Sequence, residues 1–265
     1  MIAQPTILQD IFAQKKKRVE EAKHGFEYGE FVARARRFRR DETPNRFRSA
    51  FDDSAKINII AEIKRASPSI GTINNNLYVD KLAPVYQQNG ACAISVLTEE
   101  DHFKGNVEDL MTARNLTDLP ILRKDFIFDE FQIYEAALIG ADAILLIVAM
   151  LDDENLLKLY SLASGLGLDV LVGTHNLEEL IRAAELGANI IGVNNRNLHS
   201  FEVSLETSRE LAKFAPEESI LIAEGGLKTK QDLVELKELG FNGFLIGESL
   251  MTAENTGEFL RSLHE

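Results

Sequence analysis

Eight short apolar runs punctuate this 265-residue chain at nearly even intervals: 57–63, 91–97, 119–125, 141–149, 168–173, 188–194, 219–225 and 241–247. Most read as continuous rather than alternating apolar stretches, the pattern of strands covered on both faces. Amphipathic segments long enough for helices separate them, at 78–89, 106–117, 130–139, 153–166, 177–186, 205–214 and 228–239, and another follows at 255–263. Gly-Ala or Gly-Phe pairs (90–91, 140–141, 187–188, 240–241) stand just before four of the runs, where a glycine supplies the left-handed end of a helix. Eight strand–helix units in about 210 residues predict an α/β fold, the (β/α)8 TIM barrel. A doubly wound open sheet is the competing topology. It would ordinarily carry a glycine-rich dinucleotide turn after an early strand, whereas the first run leads into EIKRASPSIG.

Residues 1–55 read differently. Ile7, Leu8, Ile11 and Phe12 form a helical stripe within 6–21, a second helical segment runs over 26–38, and Pro44 ends the pattern. The chain is therefore read as one barrel domain over 1–265, with an N-terminal helical cap (1–55) in front of the barrel proper (56–265). The basic run RARRFRR (34–40) is read as a solvated helix face.

Composition narrows the function classes. With 29 basic and 42 acidic residues the net charge is −13, which repels a polyanion and argues against nucleic acid while leaving room for a small anion held by a few local groups. Cys92, the single cysteine, excludes a disulfide scaffold and reads as a small core residue. The five histidines show no metal-ligand spacing, and His175 is read as helping to cap the next helix. No apolar run reaches the length of a membrane helix, and the N-terminus does not read as a secretory signal. A cytoplasmic monomer without metal or cofactor is expected.

Chemistry in such a barrel sits at the C-terminal ends of the strands, and polar residues interrupt the apolar runs there. They are Glu62, Lys64 and Ser67 after the first strand, Arg123, Lys124 and Asp125 on the third, and Asn194 and Arg196 on the sixth. Glu224, Gly225 and Gly226 follow on the seventh, and Gly247, Glu248 and Ser249 on the eighth. Buried charges are costly unless paired, so their gathering at one end predicts a pocket. The spacing of two between Glu62 and Lys64, and between Asn194 and Arg196, puts each pair on one strand face. Lys124 in an apolar strand is expected to have a lowered pKa, suiting a general acid or a Schiff-base amine. The glycines after strands 7 and 8 let a phosphate approach backbone amides closely.

The segments IIAEIKRASPSIG (59–71), LRKDFIFDEFQIYEA (122–136) and IIGVNNRNLHSFEVSLETS (190–208), with FLIGESLM (244–251), resemble the indole-3-glycerol phosphate synthase family of tryptophan biosynthesis. The resemblance spans residues 5–260. It implies decarboxylative ring closure and dehydration of 1-(2-carboxyphenylamino)-1-deoxyribulose 5-phosphate by a lyase that needs no cofactor. It implies Lys124 as the general acid at the ribulose carbonyl, Glu62 and Lys64 in the later dehydration, and Asn194 and Arg196 orienting intermediates. Glu224 would face the substrate, and Ser67, Gly225, Gly226, Gly247 and Glu248 would line the phosphate site. Pro68, Phe103 and Phe126 would wall the aromatic ring. The loop 66–77, with Gly71 and three asparagines, would be a mobile lid.

Two positions depart from the family pattern. Gly173 stands where the fifth strand usually offers a catalytic Glu, and Gly225 where the seventh offers a Ser. Three readings follow: a working synthase in which Glu62 carries more of the proton transfer, an impaired or altered synthase, and a phosphosugar-binding relative with different chemistry, such as Schiff-base aldol cleavage, or none.

Overall fold

The computed structural model describes residues 7–25, 27–73, 77–197 and 200–264. Eight parallel strands close into a barrel: β1 (Ile59–Ile63), β2 (Ala93–Leu97), β3 (Ile121–Lys124), β4 (Ala143–Ile147), β5 (Asp169–Thr174), β6 (Ile190–Asn194), β7 (Ile220–Glu224) and β8 (Gly243–Ile246). Each pairs with its sequence neighbours, and β8 closes on β1 with Ile59 opposite Phe244 and Ala61 opposite Ile246. Every one of the eight apolar runs became a strand.

Strand parity sorts the side chains. Ile60, Leu122, Leu145, Leu171, Ile222 and Leu245 fill the barrel interior. The residues between them, such as Ile59, Ala61 and Ile63 of β1, pack outward against the helices. Continuing the inward rows toward the C-terminal ends brings Glu62, Lys124, Gly173, Asn194 and Glu224 to the barrel mouth.

The N-terminal segment forms α1 (Ile7–Lys23), α2 (Tyr28–Arg40) and a single turn, α3 (Arg46–Ser49). Among the described residues of this segment, only α1 reaches the mouth, where Ile7, Leu8 and Ile11 line the cavity. Phe47 of α3 and the following Phe51, ring centroids 5.3 Å apart, plug the opposite end, and Phe51 lies so close to Gly243 that a Cβ there would collide with its ring. Between the two ends, α2 runs along the barrel's flank, Phe31 stacked on Phe131 at 4.8 Å.

Arg39 corrects the expectation of a wholly solvated basic face. It is buried, and its guanidinium donates to the carbonyls of Leu166, Ala141 and Gly167 at 3.1, 3.2 and 2.7 Å. These oxygens lie just before β4 and β5, so a cation satisfies acceptors that helix and strand leave free.

The remaining helices are α4 (Val79–Gln88), α5 (Val107–Leu116), α6 (Glu130–Leu138), α7 (Asp153–Gly165), α8 (Leu177–Glu185), α9 (Glu206–Leu211), α10 (Lys230–Glu238), α11 (Glu248–Thr252) and α12 (Thr256–Ser262). Gly90, Gly140, Gly187 and Gly240 adopt positive φ, as their places before strands predict. Three local features differ from the sequence reading. The segment 205–214 divides into α9 and a 3₁₀ turn at 212–214, α11 follows β8 directly, and Ala66–Ser67 pairs with Gly71–Thr72 as a small antiparallel ribbon. Asn74, Asn75 and Asn76 of the expected lid lie outside the described residues. Among the described residues, no helix is long and apolar enough to cross a membrane.

Candidate active site

The mouth encloses a cavity of about 510 Å³, and every residue that the family resemblance implies for the site lines it. At its floor lies a charged chain. The Lys124 ammonium sits 2.8 Å from Glu224 Oε2 and 3.1 Å from Glu62 Oε1, and Lys64 lies 2.8 Å from the other Glu62 oxygen, Oε2. Glu62 and Glu224 are buried. The Ser95 hydroxyl approaches Glu62 Oε1 at 3.5 Å, and the Tyr86 hydroxyl donates to the Glu62 carbonyl at 3.0 Å.

This arrangement sets the charge states. Burial raises the pKa of Glu62, but Lys124 and Lys64 outweigh it and bring the carboxyl down to about 2. Burial pulls Lys124 down, yet Glu224 and Glu62 overcome it and hold the ammonium well above the usual lysine range. The expected lowering for Lys124 is thus corrected. An apolar strand predicts desolvation, but two carboxylates from β1 and β7 reach the same amine. A Schiff base needs a neutral amine, and this environment holds the proton on.

Two glycines make the close approach possible. A Cβ at Gly247 would collide with Glu62 Oε2, and one at Gly192 with Glu224 Oε1. Gly173 is different. It neighbours Gly192 across β5 and β6, its backbone is ordinary, and a Cβ would meet the Leu145 methyl at 3.2 Å. Nothing in the backbone requires glycine there.

The opposite wall carries Arg196. Its guanidinium donates to Ser69 Oγ at 3.0 Å, to the Phe201 carbonyl at 3.2 Å and to Glu248 Oε2 at 3.1 Å, and its backbone N–H donates to Asn194 Oδ1 at 2.9 Å. Ser67 and Ser69 hydroxyls are 3.3 Å apart. Gly225 and Gly226 both take φ near +80°, a conformation L side chains rarely adopt. Phe103 and Phe126 face one another at 6.0 Å on the aromatic side, with Pro68 also lining the cavity.

Arg123 and Asp125 do not join the site's charged chain. One position off the parity of Lys124, the Arg123 side chain turns outward and donates to Glu135 at 2.6 Å, to Asp125 at 3.2 Å and to the Gln132 carbonyl at 2.9 Å. His175 also differs in detail. Asn176 is the residue that caps α8, while the His175 ring and backbone N–H both bind Glu179 at 2.9 Å, leaving the ring on the cavity wall. Cys92 packs against the barrel interior, where burial pushes its thiol up to about 12.

The sequence reading missed the apolar lining from α1 (Ile7, Leu8, Ile11) and from β4 (Leu145, Ile147). Period-2 counting from Leu122 and Leu171 would have found the β4 pair. The place of α1 depends on tertiary docking. Among the described residues, one acidic group comes close enough to share a cation, Glu99, Glu100 and Asp101. Its carboxylates are already engaged: Glu99 accepts the backbone N–H groups of Asp101, His102 and Phe103, Glu100 pairs with Lys15, and Asp101 with Arg18.

The family model described as indole-3-glycerol phosphate synthase matches residues 8–263. The chain belongs to the indole-3-glycerol phosphate synthase family. Relatives bearing that name include one from Lachnospira eligens, 44% identical over 98% of this chain and 97% of its own, and one from Alkaliphilus metalliredigens, 42% identical over 97% of each. A third, from Legionella pneumophila strain Paris, is 46% identical over 82% of this chain and 84% of its own. Among solved structures, the thiamine phosphate pyrophosphorylase from Pyrococcus furiosus superposes with a TM-score of 0.59 at 19% identity, over 79% of this chain and 94% of that one. At that identity it supports the barrel fold alone. Membership of the family agrees with the lining of the mouth, where a buried carboxylate–ammonium chain faces an arginine and a glycine-rich corner.

Proposed function

We propose that this chain is a working indole-3-glycerol phosphate synthase, a carboxy-lyase acting on 1-(2-carboxyphenylamino)-1-deoxyribulose 5-phosphate. The observation that carries the reading is Lys124, held charged between Glu62 and Glu224 at the floor of a cavity sized for such a substrate. In this reading the phosphate sits in the corner of Ser67, Gly225, Gly226, Gly247 and Glu248, with Arg196 exchanging some of its present partners for the ligand. The aryl ring lies against Phe103, Phe126 and Pro68.

Ring closure joins the carboxylate-bearing ring carbon to the ribulose carbonyl carbon. The Lys124 ammonium delivers its proton to the carbonyl oxygen as negative charge grows there. Carbon dioxide then leaves and its bonding electrons restore the aromatic ring. In the dehydration the new hydroxyl departs as water after gaining a proton from Lys64. Glu62, already ionised, accepts the proton lost from the neighbouring methylene. Asn194 orients the intermediates. Glu62 thereby does base work for which Gly173 has no side chain.

The test is a fluorescence assay of indoleglycerol phosphate formation with the full chain, Lys124→Met, Glu62→Gln and Gly173→Glu. The native chain is expected to turn over, the first two variants to lose about 10²–10⁴-fold in kcat, and Gly173→Glu to change kcat by less than about tenfold. A silent native chain that Gly173→Glu activates would replace this reading with that of a synthase lacking one catalytic group.

A further inference from the structure

We propose that Lys15 is a positioning residue for ring closure, acting through Asp125 on the end of β3; the inference rests on the function proposed above. Lys15 is a buried cation on α1, the helix that covers the mouth, and its ammonium lies 2.8 Å from Asp125 Oδ2 and 2.9 Å from Glu100 Oε2. Asp125 is the residue between Lys124 and Phe126. Its Oδ2 also accepts from the Thr98 hydroxyl at 2.6 Å and the Arg123 guanidinium at 3.2 Å, and its Oδ1 from the Phe126 N–H at 2.9 Å. The Thr98 N–H in turn donates to the Lys124 carbonyl at 3.0 Å.

This carboxylate therefore fixes the backbone just after Lys124, directly through the Phe126 N–H and indirectly through Thr98, and holds the Arg123 side chain just before it, and the cap helix supplies one of its two buried cations. Covering the mouth and aiming Lys124 become one event. Arg18, on the same helix, pairs with Asp101 at 2.6 Å and makes no hydrogen bond or ion pair with β3 among the described residues. It anchors α1 without this link and so separates aiming from anchoring. Displacing a reacting group by about 1 Å costs on the order of 100-fold in rate, ample for such a tether to matter.

The experiment uses the full chain with Lys15→Met, Asp125→Asn, both together, and Arg18→Ala. Steady-state kinetics separate kcat from KM. A second readout is trace acetylation of amines, quantified by peptide mass spectrometry with Lys124 referred to the exposed Lys56. Lys15→Met and Asp125→Asn should each lower kcat by about 10- to 100-fold with KM within about threefold. The double variant should be no worse than the poorer single one, because both act through one contact. Lys124 labelling should rise severalfold in all three as its hold by Glu62 and Glu224 loosens. Arg18→Ala should leave kcat within about twofold and labelling unaltered. A Lys15→Met protein with native kcat and a lower melting point only, with KM alone raised, or with unaltered Lys124 labelling overturns the proposal. Should Lys15→Met fail to fold, Asp125→Asn carries both readouts and decides. A native chain without turnover would remove the proposed function, while the labelling comparison still judges Lys15.

Discussion

Glu62 keeps its charge although buried, because two ammonium groups reach its two oxygens separately. Its carboxyl titrates at about 2 in the fold against an ordinary value of 4.5. The fold therefore binds the ionised form more tightly than the unfolded chain does. That contribution is complete above pH 4.5 and drains away as the pH falls toward 2. Lys124 is shifted upward, so its contribution is complete below the ordinary lysine value of 10.5 and is lost only at higher pH. Urea unfolding followed from pH 7 to pH 3 should show a fall below pH 4.5 that is shallower in Glu62→Gln; equal slopes would mean the two lysines do not stabilise the ionised form. Glycines at the site divide into two kinds. Gly247→Ala should disrupt the Glu62 contact and lower kcat, since its Cβ meets that carboxylate, whereas Gly173→Ala should stay within about 1 kcal/mol of native stability because only a leucine methyl must yield.

At the scale of elements, the first fifty residues perform three separate tasks. α1 closes the mouth and is tied down by basic side chains reaching acidic loops: Lys15 to Glu100 and Asp125, Arg18 to Asp101, Lys23 to Asp129. α2 delivers Arg39 to three carbonyls, and α3 leads into the aromatic plug. Phe51→Ala should cost about 3–5 kcal/mol, read by denaturant unfolding, because removing a buried ring leaves a cavity among barrel side chains. Arg39→Met should cost about 1–3 kcal/mol through unsatisfied carbonyls, with kcat unchanged, since the contacts lie at the end remote from the mouth. Unchanged stability in either variant would mean that the N-terminal segment is not integral to the barrel.

Over the whole molecule, a net charge of −13 surrounds a mouth that presents Lys64, Lys124 and Arg196. Such a contrast draws a small anion to the mouth, where these cations lie beside the glycine-rich corner. Binding to the folded form alone links ligand to stability. Indoleglycerol phosphate at a hundred times its Kd should raise the unfolding free energy by about 2.7 kcal/mol, a rise in Tm of roughly 5–10 °C for a chain of this size. A thermal shift absent in the native chain would exclude the mouth as the binding site. The barrel itself was legible in advance because parallel strands covered on both faces read as short apolar runs, and all eight did, with charged residues entering mainly at their C-terminal ends. The plug, the α1 lining and α11 were not, because their sequences carry only ordinary amphipathic signals and their partners lie far along the chain.

By itself the sequence determined the period of the fold and the identity of the mouth. Apolar runs, glycine punctuation and strand parity are local: parity turns Glu62, Lys124, Asn194 and Glu224 inward, and their places near the C-terminal ends of their strands put them at one mouth. Only the tertiary structure decided the charge on Lys124, the outward turn of Arg123, the burial of Arg39 and the link from Lys15 to Asp125. Each depends on which groups from distant strands and helices come within about 3 Å. Electrostatic energy changes steeply over that distance once water is excluded.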